Sequence, residues 1–163
     1  MDVVAVFADN GLHLIASVCM EIVYKMNANI SPQQYVDLLH TAGVEAERPV
    51  EDLDSIEGLL AHSNLVLTAW HDDKLIGMAR CVTDFYHRCF LADLVVDHYY
   101  QRHGLGRQLQ SLVKKQLKGE CQLIALAGAD NAHFFSNSGY EPQEHVWQLS
   151  DNDMKAVKKH DDH

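Results

Sequence analysis

Two hydrophobic periods alternate along the chain, and each change of period marks an element. Glu21–Met26 reads as a strand with β-branched and aromatic content. Ser31-Pro32-Gln33-Gln34 has the form of a helix start: Ser31 as cap, Pro32 at the first helical position and Gln34 closing a capping box. That helix carries Tyr35, Leu38 and Leu39 and stops at Gly43. Pro49 opens a second helical segment, with acids crowding its first turn and Leu53, Ile56 and Leu60 at helical spacing. Leu65–Trp70, Leu75–Thr83 and Cys89–Val96 read as three successive strands joined by polar turns, the last nearly continuous in its apolar run and so expected to be buried on both faces. After a loop over His98–Arg102, Leu105, Leu109, Leu112, Val113 and Leu117 form the stripe of a helix running to Lys118, with Gly119 as its stop. Gln122–Ala127 reads as a buried strand, Asn131–Asn137 as a short helix and His145–Leu149 as a final strand. The order β-α-α-β-β-β-α-β-α-β predicts an α/β (α+β) fold, a mixed sheet with helices on both faces.

Length and composition narrow the picture. At 163 residues and 47% apolar, the chain suits one globular core. Residues 1–19 read as an N-terminal extension, 20–149 as the domain and 150–163 as a polar tail. No apolar run approaches the roughly 20 residues of a membrane helix. Val18 is too large for the position before Cys19 in a lipoprotein cleavage site, so no signal peptide is expected. A balance of 13 basic against 23 acidic residues weighs against broad nucleic-acid binding; it is compatible with a cationic acceptor and equally with acidity that only keeps the protein soluble. The four cysteines, Cys19, Cys81, Cys89 and Cys121, form no C-x-x-C pair and sit in apolar sequence, as reduced thiols of a cytoplasmic protein would. The densest histidine cluster, His160-Asp161-Asp162-His163, lacks metal-site spacing and reads as solvated tail, so no metal is expected.

The stretch with chemical content runs from Leu94 to Arg107. An apolar strand enters a loop, Gln101-Arg102-His103-Gly104-Leu105-Gly106-Arg107, that opens an amphipathic helix. Free N–H groups at a helix start carry partial positive charge, and glycine lets a ligand approach the main chain. Together they make a phosphate or pyrophosphate cradle, to which Arg102 and Arg107 add charge. No Gly-Lys-Ser/Thr follows, which excludes a P-loop, and Leu109 stands where a dinucleotide fingerprint needs its third glycine.

Gln101, Gly104 and Gly106 match the Q/R-x-x-G-x-G/A motif of the GNAT N-acetyltransferase superfamily, and the chain resembles that family from about Met20 to Leu149. Asn131-Ala132-His133-Phe134-Phe135 through Gly139-Tyr140 resembles the family's N-A-x-x-F-Y-x-x-x-G-F segment, with one residue of offset at its start. The resemblance implies the GNAT-like, mostly antiparallel sheet and acetyl-CoA as cosubstrate. It implies that Leu94, Val95 and Val96 serve the pantetheine arm, that Gln101 through Arg107 hold the pyrophosphate, and that Asn131, Phe134 and Phe135 lie along the cofactor. It further implies direct transfer of acetyl to an amine, here a small-molecule primary amine or, as the alternative, a protein N-terminus or lysine. A non-catalytic acyl-CoA-binding module is a further reading, and the resemblance leaves a homodimer open.

The catalytic residues are less determined. The family often protonates the leaving thiolate with a tyrosine, but the aligned residue is Phe135. Tyr140 is the nearby phenol, either a catalytic acid or a packing aromatic. Asp93, just before the expected cofactor strand segment, is the first candidate for general base, with backbone anchoring as its alternative role. Tyr86, His87 and His133 are weaker candidates that read better as surface residues.

Overall fold

The computed structural model describes residues 21–44, 50–128, 131–144 and 147. These belong to two compact units, one reaching Leu126 and one beginning at Ala127. In the first unit the elements are β1 (Ile22–Met26), α1 (Pro32–Ala42), α2 (Leu53–Ala61), β2 (Leu65–His71), β3 (Lys74–Thr83), β4 (Arg88–Val96), a 3-10 turn (His98–Tyr100), α3 (Leu105–Gln116) and β5 (Gln122–Ala125). The second unit carries α4 (Ala132–Asn137). Pro49, the extension before Met20, Cys19, the tail after Leu149 and nearly all of the expected last strand lie outside the described residues.

The sheet runs β1-β2-β3-β4-β5. Its first four strands are antiparallel, and β4 and β5 are parallel. The fold is therefore the mixed sheet expected from the pattern, mostly antiparallel as the resemblance implies. Capping chemistry sets α1: Ser31 Oγ accepts the Gln34 N–H at 3.1 Å while Gln34 Oε1 accepts the Ser31 N–H at 3.0 Å. Gly43 ends the helix in the left-handed region at φ 74°. Asp52 caps α2 through the Ser55 N–H at 3.0 Å.

Neighbouring residues of β3 separate the two faces of the sheet. Met78 joins Tyr35, Leu38, Leu39 and Ile56 of α1 and α2, together with Val66, Trp70 and Val95, in one core. Gly77 lies beneath α3 on the opposite face, where a Cβ would stand 3.2 Å from Leu109 Cδ1 and 3.6 Å from Ala69 Cβ. Leu105, Leu109 and Val113 form the buried stripe of α3.

Three expectations need correction. β4 is not continuously buried along its apolar end: Cys89, Leu91, Asp93 and Val95 are buried, whereas Ala92, Leu94 and Val96 are half-buried. β5 stops at Ala125 and alternates between exposed and half-buried positions, because the described residues place little over it. α3 ends at Gln116, since Leu117 turns extended and the Lys118 N–H is drawn to Phe85 O at 2.8 Å in the β3–β4 turn.

The contact at Gly77 yields a stability prediction. Valine favours strand backbone over glycine, a gain of up to about 1 kcal/mol. Overpacking against Leu109 costs about 1–3 kcal/mol. Gly77→Val is therefore expected to be net destabilising, read as a lower urea midpoint at unchanged slope.

Candidate functional site

An extra residue in β4 determines where the sheet opens. Arg80 faces Asp93 and Cys81 faces Leu91, so Ala92 is inserted as a bulge. Pairing of β4 with β5 runs from Arg88↔Gln122 to Leu91↔Ala125 and stops there. The bulge bends β4 at the residue after its last bond to β5. The Asp97 N–H donates to Ile76 O at 2.9 Å, which fixes the alternation of the ladder. Asp93 and Val95 turn their main-chain groups toward β3, while Leu94 and Val96 turn theirs into the opening. Val95 instead contributes its side chain to the core under α1 and α2.

The loop after β4 completes a cradle. Gly104 is the N-cap of α3 at φ 85°, ψ 0°, with open space where a Cβ would stand. It gives α3 no side-chain cap, and the first turn holds no acid. The first helical bond is Gln108 N–H to Gly104 O at 2.9 Å, so the N–H groups of Leu105 and Gly106 precede the helical ladder. Gln101, Arg102, His103 and Arg107 are exposed around this turn. Arg102 adopts φ 63°, which is unusual for a residue with a side chain and contributes to a curved run of N–H groups. Glycine freedom, positive dipole and basic side chains thus meet at one turn. Gln101 turns its Nε2 back onto Val96 O at 2.9 Å.

Asp93 is fully enclosed on the α1/α2 side of β4. Its Oδ2 accepts from Tyr35 Oη at 3.0 Å and from Arg80 Nε at 2.5 Å. Arg80 Nη1 also donates to Ser63 Oγ at 2.9 Å, beyond the end of α2. Tyr35 and Arg80 were not singled out from sequence, because the bulge that brings position 80 opposite 93 leaves no periodic signal.

Asp97, also fully buried, ends β4 and caps the 3-10 turn by accepting the Tyr99 N–H at 3.0 Å. Its Oδ2 holds Lys74 Nζ at 2.6 Å. Burial raises the Asp97 carboxyl, but the bonds from Lys74 and Tyr99 outweigh it and leave the group below the usual carboxylate range. The same hydrogen bond raises Lys74, against partial desolvation.

In the second unit, Asn131 is exposed at the N-cap of α4. Phe134 packs edge-on to Phe135, with ring centroids 5.4 Å apart, and Phe135 edge-on to Tyr140 at 5.1 Å. His133 is exposed, as is Tyr86, whose N–H joins those of His87 and Arg88 on Asp84 Oδ1. Cys81, Cys89 and Cys121 are free and buried, and Cys81 is pushed up by its hydrogen bond to Cys89 and by desolvation. No group of three or more His, Cys, Asp or Glu side chains among the described residues could hold a metal ion. None of the described helices is long and apolar enough to cross a membrane.

Two predictions follow from the buried charges. Arg80→Met leaves Asp93 as a buried carboxylate without its cation and is expected to cost about 3–5 kcal/mol by urea unfolding. Arg80→Met/Asp93→Leu should recover most of that loss, because the stranded charge is gone. The Lys74–Asp97 pair should stabilise the chain across the neutral range. Its Asp97 part is lost as pH falls below about 4, through the lowered folded value, and its Lys74 part as pH rises above about 10.4, through the raised one. The melting-temperature gap between wild type and Lys74→Met should therefore be flat at neutral pH and close at both extremes.

Comparison with known proteins matches this architecture. The profile of the Acetyltransferase (GNAT) family matches residues 30–140. The chain is 38% identical over 72 residues to GCN5-related N-acetyltransferase 2, chloroplastic, of Arabidopsis thaliana, covering 43% of this chain and 28% of that one. It is 31% identical over 101 residues to an uncharacterized ycf52-like N-acetyltransferase of Prochlorococcus marinus, covering 58% of this chain and 54% of that one. The chain thus spans between 28% and 54% of the length of these two relatives. A GNAT-family acetyltransferase structure from Streptococcus pneumoniae superposes with a TM-score of 0.62 at 23% identity, covering 80% of this chain and all 100% of that one. With the family profile extending from the start of α1 through the aromatic segment after α4, the chain belongs to the GNAT acetyltransferase family.

Proposed function

We propose that the protein transfers acetyl from acetyl-CoA directly to the primary amine of a small molecule. The observation that carries this reading is the opening of β4 from β5 at Ala92, leading straight into the uncapped start of α3. An extended amide-bearing arm fits an open strand edge, and a pyrophosphate fits an uncapped, acid-free helix start. Leu94 and Val96 then pair through their main chain with the pantetheine amides. The N–H groups from Gln101 to Arg107 bind the pyrophosphate, and Arg102, His103 and Arg107 add charge around it. Asn131, Phe134 and Phe135 are assigned to the cofactor by the family motif, with Asn131's exposure in support.

The chemistry asks little of ionisable side chains. An alkylammonium acceptor, with pKa about 10.4, must lose a proton before its nitrogen attacks the thioester carbonyl. Asp93 is engaged by Arg80 and Tyr35, which favours the anchoring role over that of base. Water then takes the ammonium proton. The departing thiolate resembles a free thiol of pKa about 8.5 and leaves without an obligatory acid. The edge contact of Tyr140 with Phe135 favours packing for that phenol. The burial of all three described cysteines fits transfer without an acyl-cysteine.

The test follows thiol release from acetyl-CoA against a panel of small amines and of peptides with free N-termini or lysines. Saturable release with a small amine is the expected result. Release with peptides alone would assign a protein acceptor, and a CoA-induced thermal shift without release from any acceptor would leave a binding module. Gly106→Trp, in the first turn of α3, should weaken CoA binding by calorimetry at least about a hundredfold, about 2.8 kcal/mol, with the melting temperature kept. Unchanged affinity in that variant would remove the pyrophosphate site from α3.

A further inference from the structure

The segment that forms the cradle is short and held in an uncommon conformation. Between Tyr100 and the start of α3 lie Gln101, Arg102, His103 and Gly104, and two of these four have positive φ, 63° at Arg102 and 85° at Gly104. Glycine adopts this region freely, but an arginine there sits above its right-handed alternative by about 1–2 kcal/mol. Such a conformation persists only where its surroundings determine it. On the helix side, Gly104 is fixed by the first bond of α3. On the other side Gln101 bonds back to Val96 O and His98 O, and the turn before it is held by contacts from outside the loop.

Those contacts converge on the β2–β3 hairpin. His71 is the last residue of β2 and Lys74 the first of β3. Lys74 Nζ reaches the buried Asp97 carboxylate at 2.6 Å, and Asp97 in turn caps the 3-10 turn through the Tyr99 N–H. At the far end of the turn, Tyr100 Oη lies 2.5 Å from His71 Nδ1, with the rings edge-on. Both ends of the turn are therefore tied to one rigid hairpin. The ion pair is a costly way to fill the space, since a buried carboxylate needs its partner and an apolar residue would not. What it supplies is a fixed position for a backbone atom, with Lys74 reaching in from a side chain still 54% exposed.

We infer that Lys74 and His71 are positioning residues for acetyl-CoA: through Asp97 and Tyr100 they hold the Gln101–Gly104 backbone in the conformation that presents its N–H groups to the pyrophosphate. Neither side chain belongs to the cradle. This inference rests on the acetyl-CoA reading above. Without the tie, Arg102 can relax to the right-handed region and the loop loses its curvature before any ligand arrives. The expected signature is weaker cofactor binding with an unchanged chemical step.

The experiment uses the full chain with CoA in calorimetry and acetyl-CoA in steady-state turnover. Lys74→Met should weaken CoA binding about tenfold and raise the KM for acetyl-CoA in parallel, with kcat at saturation kept within about twofold. Lys74→Arg, which keeps the cation, should restore both. His71→Phe, which keeps a ring against Tyr100 and removes the hydrogen bond, should act in the same direction. A merely structural pair would lower the melting temperature without this split between KM and kcat. Wild-type CoA affinity in Lys74→Met, or a loss that arginine does not rescue, would overturn the inference while leaving the acetyl-CoA reading intact. Absence of CoA binding by the wild type would instead overturn the reading on which it rests. If Lys74→Met does not fold, His71→Phe decides: unchanged CoA affinity overturns the inference, and weaker binding at constant kcat supports it.

Discussion

One inserted residue in β4 governs the rest of the molecule. An unbroken parallel ladder would continue past Leu91 and Ala125 and close the sheet. Ala92 prevents this by shifting the register against β3, so that strand pairing is satisfied on one side of β4 and abandoned on the other. The main-chain groups of Leu94 and Val96 are left facing a space instead of a strand. Val96 O is taken by Gln101 Nε2, and the other backbone donors and acceptors there need partners from solvent or from a ligand. The slot proposed for the amide-rich arm is therefore a direct consequence of strand register.

The same bulge explains why a carboxylate is buried beside the opening. By shifting the strand, it places Asp93 opposite Arg80, on the side covered by α1 and α2. The pair then reaches Tyr35 in α1 and Ser63 beyond α2, so one charged contact connects two strands with two helical elements. Replacing such a pair with apolar residues is often neutral for stability. What it retains is directional: it ties the helices to the strand beside the opening.

Much of this was legible before any coordinates. Ser31, Pro32, Gln34 and Gly43 announce α1 because capping is local chemistry, readable from neighbouring residues. Gln101, Gly104 and Gly106 announce the loop for the same reason, since a helix start depends on a few consecutive side chains. The errors lie where distant parts decide. The apolar run at the end of β4 suggested burial on both faces, but composition cannot say that the strand beside it stops at Ala125. The end of α3 is set by Phe85, far away in sequence. Arg80 and Tyr35 beside Asp93, and Lys74 and His71 behind the loop, are invisible for the same reason: each contact depends on register or on a turn from another element. Asp93 was noticed as a carboxylate near the site, but its partners, and therefore its character, come only from the fold.

The parallel pairing of β4 with β5 has a consequence for how the chain reaches its native state. Every other strand pair here except β1 with β2 joins neighbours across a tight turn, so it can form early at small entropic cost. β4 and β5 meet only after α3 has been laid between them. Their contact closes a long loop, and such contacts form late in folding. The hairpins, the glycine turn and the start of α3 can therefore be in place while the wedge between β4 and β5 does not yet exist. The slot proposed for the cofactor arm is completed only when β5, the last strand among the described residues, joins the sheet, whereas the turn proposed for the pyrophosphate precedes it.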